Sequence, residues 1–189
     1  MVSADGGHRF KPLAQVSPPA SLQEHSWSEQ QMARITPLGS QDLIMIGHGH
    51  GSTADSSDYL VSFSRTFGRN WSMPSRLPVL RQPGCQGSVA SSGTLVMVSH
   101  PNNGTGYLPG NHDPARNHMT ISYSRSGWLD GWQHWKLHLV YAGFSGYSAM
   151  QDLSVGRDAQ QAVGLIYERG EERFDEDVWV AVVPFSELV

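Results

Sequence analysis

The stretch Ser64-Arg65-Thr66-Phe67-Gly68-Arg69-Asn70-Trp71 decides how the fold is read. It repeats the frame of Ser3-Ala4-Asp5-Gly6-Gly7-His8-Arg9-Phe10, S-x-D-x-G-x-x-aromatic, with Thr66 where Asp5 stood. A physical reason fits the frame. Ser and Asp side chains cap the backbone of a tight turn, Gly supplies a positive φ, and the aromatic pins the turn to a sheet. A looser third copy begins at Ser124-Arg125-Ser126 and is followed by Trp128, Trp132 and Trp135. The leading serines stand 61 and then 60 residues apart. A unit of about 60 residues that returns to the same turn suggests a four-stranded propeller blade.

Between these turns lie short runs with strand character: 42–46, 59–64, 94–98, 118–124, 137–141, 163–167 and 178–183. Each is rich in β-branched or aromatic residues and bounded by Gly, Pro, Asn or Ser. In Met119-Thr120-Ile121-Ser122-Tyr123-Ser124 apolar and polar residues alternate, the period of a half-buried strand. No segment of a dozen residues keeps a helical period, so the expected class is all-β. At about 60 residues per blade, the 189 residues hold about three blades.

Composition narrows the function classes. Charged residues are 16% and the net charge is −4, too weakly and too negatively charged for a general nucleic-acid surface. No apolar run is long enough for a membrane helix. The first residues carry no signal-peptide pattern, which leaves the compartment open. One cysteine, Cys85, excludes an internal disulfide and a cysteine-based zinc cage. His48-Gly49-His50 has the spacing of two ligands on one strand face, without a third ligand coupled to it, so no metal and no cofactor are expected.

The repeated turns resemble the Asp-boxes of the sialidase (neuraminidase) family, whose fold is a six-bladed β-propeller. Further motifs resemble that family in order. Glu29-Gln30-Gln31 before an apolar strand is similar to its Asn-Glu-x-Gln blade, with Ser28 in place of Asn. Cys85-Gln86-Gly87-Ser88 is similar to its Cys-Gln-Gly-Ser turn. Ser145-Gly146-Tyr147-Ser148 resembles its Gly-Tyr-Ser loop, and Leu165-Ile166-Tyr167-Glu168 its Leu-Tyr-Glu strand. The resemblance covers nearly the whole chain and implies one unit over 1–189, the C-terminal part of a sialidase-type propeller whose N-terminal blades are absent.

The implied activity is release of terminal sialic acid from glycoproteins or glycolipids. The anomeric carbon of a sialoside also bears a carboxylate, which would repel an anionic nucleophile. A tyrosine avoids that repulsion, and sialidases are an exception to the two-carboxylate rule of glycosidases. A phenol needs a carboxylate to draw off its proton. By resemblance Tyr147 is this nucleophile and Glu29 its base. Arg116 falls where a family arginine holds the substrate carboxylate, a task that suits the guanidinium fork. His48 stands where a second such arginine is expected, and Glu168 resembles the glutamate that orients the first.

The first arginine and the aspartic acid/base have no match in these residues. An impaired enzyme is therefore expected. The alternative is a propeller that binds sialoglycans, or is a relic of one, without turnover. An open half-ring also leaves unpaired sheet edges, so self-association through them is expected. Asn70-Trp71-Ser72 and Asn103-Gly104-Thr105 match the glycosylation sequon, but Asn70 reads as a turn residue. The acidic run 171–177 reads as a solvated connection between the last two strands.

Overall fold

The computed structural model describes residues 1, 3–17, 19, 22, 26–35, 42–50, 58–81, 83–102, 116–125, 134–154 and 161–188. The third copy of the turn with Trp128 and Trp132, the sequon at Asn103 and the side chain of His50 lie outside them. The first two turns close with the same hydrogen bonds. Ser3 Oγ accepts from Gly7 N at 2.8 Å, and Asp5 Oδ1 from Arg9 N at 2.9 Å. Ser64 Oγ accepts from Gly68 N at 2.8 Å, and Thr66 Oγ1 from Asn70 N at 2.8 Å. Gly7 and Gly68 take φ of 96° and 81°, which a side chain would strain. The Arg9 amide and the Ser3 hydroxyl hold the Asp5 carboxyl below its ordinary range. Trp71 donates its indole hydrogen to Gly68 O at 3.0 Å and so anchors the second turn. Phe10 of the first frame, a ring with no N–H to give the turn, is exposed instead.

Strands fill the rest, with no α-helix among the described residues. The first sheet is an antiparallel meander of β1 (Ser26–Arg34), β2 (Leu43–His50), β3 (Asp58–Ser64) and β4 (Ser75–Arg81). The second contains β5 (Ser88–Ser92), β6 (Leu95–Pro101), β7 (Asn117–Ser124), β8 (Lys136–Asp152), β9 (Ala162–Gly170) and β10 (Asp177–Pro184), paired in that order. Strand β8 runs 17 residues. Its first part pairs with β7 and its second with β9, so it leaves one blade and opens the next. The Ser145–Ser148 segment, expected as a loop, is therefore strand: the β9 ladder takes it up.

Blade packing explains the burial. Every residue of β6 is buried. Leu95 and Met97 enter a core shared with Met119, Ile121, Val163 and Leu165, whereas Val96 and Val98 enter one shared with Ile44, Ile46, Val61 and Leu77. Strand β6 is thus covered on both faces, and so is its neighbour β7: Met119 to Ser124 alternate as in a half-buried strand, yet Thr120, Ser122 and Ser124 are buried too. On β9 and β10 Leu165 is buried while Ile166, Val178, Val180 and Val182 are exposed, so only one face of this strand pair is covered. This face is an open apolar surface in addition to the edge of β10, unpaired among the described residues.

The inner strands β1, β5 and the second part of β8 meet at one side chain. Ser88 Oγ donates to Gln31 Oε1 at 2.9 Å and accepts from Met150 N at 2.9 Å. Ser88→Ala is expected to leave both groups without their bond and to lower stability by about 1–3 kcal/mol. A fall in the guanidinium midpoint with unchanged slope would register it; an unmoved midpoint would show that the strands hold without this tie.

Candidate active site

Two bulges on inner strands build the site. Along β1 and β2, Ser28 faces His48 and Gln31 faces Ile46, so Glu29 and Gln30 together oppose Gly47. Glu29 has φ 52°, a left-handed conformation that re-aims its side chain out of the ladder. A side chain at Gly47 would run into the Trp27 indole and Gln30, so glycine is required opposite the bulge. The second bulge lies on β8. Ser145 faces Arg169 and Ser148 faces Tyr167, so Gly146 and Tyr147 oppose Glu168. The Tyr147 amide, freed from the ladder, donates to Glu168 Oε2 at 2.9 Å. A Cβ at Gly146 would meet Glu168 and Phe174.

The re-aimed side chains meet across the inner strands. Tyr147 Oη donates to Glu29 Oε1 at 2.7 Å. Glu29 Oε2 lies 2.7 Å from His48 Nε2, which is also 3.2 Å from Ser28 Oγ. Arg116, just before β7, donates from Nη2 to Gly84 O at 2.8 Å. Its guanidinium carbon lies 4.4 Å from the Phe174 ring centroid and 5.6 Å from that of Tyr147. The structure thus brings together all five residues singled out in the sequence: Tyr147, Glu29, Arg116, His48 and Glu168.

Charge and access separate their environments. Tyr147 is 37% exposed and the Glu29 side chain 33%, whereas the His48 side chain is 1% exposed. The Glu29 carboxylate, by accepting the phenol hydrogen, pushes the Tyr147 pKa up from 10.0 to about 12; burial and the Glu29 charge add to this, and Arg116 opposes it. Tyr147 is therefore a neutral phenol near pH 7, hydrogen-bonded to the Glu29 carboxylate. Cys85 is buried nearby, and burial raises its thiol pKa. Among the described residues no three His, Cys, Asp or Glu side chains cluster as metal ligands. Nor is any helix there long and apolar enough to cross a membrane.

Solved structures share this architecture. A Hadza microbial sialidase superposes with a TM-score of 0.59 at 23% identity, over 86% of this chain and 28% of its own. The intramolecular trans-sialidase from Ruminococcus gnavus, solved with oseltamivir carboxylate, gives 0.63 at 18%, over 98% and 37%. The NanB sialidase of Streptococcus pneumoniae, as its K499G mutant, gives 0.60 at 17%, over 84% and 23%. The fold is that of part of a sialidase propeller. The chain spans about a quarter to a third of the length of these sialidases. No protein-family profile matches the sequence, and no curated protein matches it significantly.

Within this sialidase fold, three contacts escaped the sequence reading. Phe174 sits in the run 171–177, which does connect β9 to β10, yet its ring turns inward onto Arg116. Glu176 shapes that turn by accepting the amides of Glu171, Glu172 and Arg173 at 3.0, 3.1 and 2.7 Å. A lone aromatic in an acidic run was the available signal. The contacts of Glu168 with the Tyr147 amide and of Gly84 with Arg116 use backbone atoms, which no side-chain pattern reveals.

The raised Tyr147 pKa carries a sign. Because the folded value exceeds the ordinary 10.0, the contact stabilises the fold below about pH 10 and is lost as pH rises through about 12. Glu29→Gln is expected to bring the Tyr147 titration back toward 10. Phenolate absorbance, with Tyr147→Phe subtracted, measures it; an unchanged midpoint would show that the Glu29 contact does not hold the phenol proton.

Proposed function

We propose that residues 1–189 form the nucleophile-bearing part of an exo-α-sialidase site, a glycoside hydrolase acting on sialylated glycoproteins or glycolipids. One observation carries the reading: Tyr147 and Glu29, 118 residues apart, share a 2.7 Å hydrogen bond on two facing bulges. Tyr147 Oη attacks the anomeric carbon as its proton passes to Glu29, and the bond to the leaving oxygen breaks, the aglycone departing with the electron pair and taking a proton from water. Arg116, stacked between Phe174 and Tyr147, supplies positive charge beside the nucleophile for the carboxylate on that carbon. Glu168 fixes the Tyr147 amide and with it the direction of the ring. Water then attacks the anomeric carbon and the glycosyl–tyrosine bond breaks; Glu29 returns its proton to the Tyr147 oxygen, restoring the phenol, and the proton lost by the attacking water passes to solvent.

The turns at Ser3 and Ser64 support the same reading as Asp-boxes, since both show the capping bonds that frame requires. The second reading, sialoglycan binding without turnover, is favoured by one feature. Among the described residues Arg116 supplies the one guanidinium over the Tyr147 ring, where the family resemblance implies several arginines.

An aryl α-sialoside with an acidic phenol as leaving group tests the choice, because such a group departs without an acid catalyst. The 189-residue chain is expected to release the phenol, and Tyr147→Phe to lower the rate at least about 100-fold. Saturable binding without release would select the binding reading. Equal release by Tyr147→Phe would overturn both the nucleophile and its base.

The partner expected beside the glycan is a second copy of this chain. We propose that the exposed Ile166, Val180 and Val182 of the last sheet draw two copies together. Sedimentation is expected to show concentration-dependent association that Val180→Lys abolishes. A monomer at all concentrations would remove this partner.

A further inference from the structure

His48 is placed differently from a substrate ligand. It lies on β2 opposite Ser28, immediately before the Glu29 bulge, and its side chain is 1% exposed. Glu29 and Tyr147 in front of it are about one-third exposed. The imidazole therefore stands behind the Glu29 carboxylate, on the side away from solvent. Its Nε2 is 2.7 Å from Glu29 Oε2, while Oε1 of the same carboxylate takes the Tyr147 hydroxyl at 2.7 Å. An ionised carboxylate has only acceptors, so in that bond Nε2 carries the hydrogen.

The two oxygens of Glu29 are thus assigned to two different donors. With Oε2 held, rotation about the last side-chain bond, which is otherwise soft, is stopped, and Oε1 stays on the phenol. Glu29 needs this more than most glutamates. Its bulged backbone has no ladder partner of its own to fix the direction of the side chain.

We propose that His48 is a positioning residue for Glu29: its Nε2–H holds Oε2 so that Oε1 remains on the Tyr147 hydroxyl, and it does not touch the substrate carboxylate. This rests on the reading of Tyr147 as nucleophile and Glu29 as its base.

The test is covalent labelling of the full chain by a 3-fluorosialosyl fluoride. Tyr147 Oη bonds to the anomeric carbon, the carbon–fluorine bond breaks, fluoride leaves with the electron pair, and the phenol proton passes to Glu29. Intact-mass kinetics give the limiting rate and the half-saturating concentration separately. His48→Ala is expected to lower the limiting rate about tenfold to a hundredfold, the cost of a lost bond to a charged group, with half-saturation nearly unchanged. His48→Gln, whose amide N–H reaches the position of Nε2, is expected to restore most of the rate. His48→Asn, polar but too short to reach Glu29, is expected to behave as Ala and serves if Ala does not fold. A raised half-saturation with an unchanged limiting rate would make His48 a substrate ligand and overturn the proposal.

Labelling that fails in the unsubstituted chain would refute the nucleophile reading and still leave the positioning role open to measurement. In the ligand-free chain, His48→Ala or His48→Asn is expected to move the Tyr147 titration from about 12 toward 10 as Oε1 drifts off the phenol, with His48→Gln staying near 12. An unmoved Tyr147 midpoint in the Ala or Asn variant would overturn the proposal by itself.

Discussion

The Ser88 hydroxyl fixes the spacing on which the site depends. It joins Gln31 on β1 to Met150 on β8 through one buried oxygen. Gln31 lies two residues beyond Glu29, and Met150 three beyond Tyr147. Each bulge is therefore less than about 12 Å of chain from the same tie, since extended residues advance about 3.3 Å each. Little slack remains for Glu29 and Tyr147 to miss one another. The tie is itself held from behind. Tyr59 donates to Cys85 O at 3.2 Å, and Gly87 is bare because any side chain there would strike the Tyr59 hydroxyl.

The bulges give up regular pairing in return for aim. Each sets two residues against one and turns a side chain, at Glu29, or an amide, at Tyr147, away from the sheet. The left-handed backbone of Glu29 costs on the order of 1–3 kcal/mol. Packing of the two sheets through two cores over-determines the strands well enough to carry that strain. Gly47 and Gly146 do the complementary work, leaving the space into which Trp27 and Glu168 close.

The sequence showed the scaffold better than the lining. The seven strands marked in advance all exist, because their apolar residues enter the two cores. Strands β1, β4, β5 and the second part of β8 were not marked, for separate reasons. Pro78 interrupts β4, and β5 is mostly small and hydroxylic. The inner strands turn one face to the open axis, where Gln30, Met32, Ala149 and Gln151 are exposed, so their apolar alternation is faint. Glu29 and Tyr147 of the candidate site sit on these strands, whereas His48 and Glu168 sit on β2 and β9, which were marked. The five candidate residues were legible through family motifs, yet their mutual contacts span 19 to 118 residues of sequence and follow from register, not pattern. The serine turns were legible for a simpler reason: all their bonds close within four residues.

Histidine at position 48 also has a chemical logic that arginine would lack. A guanidinium on Glu29 Oε2 would place a permanent positive charge against the carboxylate and lower its affinity for a proton by one to three pKa units. Tyr147, held near pKa 12, surrenders its proton only to a base that keeps some affinity for it. An imidazole N–H gives the same directional bond without a fixed charge. Positioning and basicity then cease to compete at Glu29. The exchange leaves Arg116 as the cation over the Tyr147 ring, so positive charge is concentrated on the face where the Tyr147 side chain is exposed.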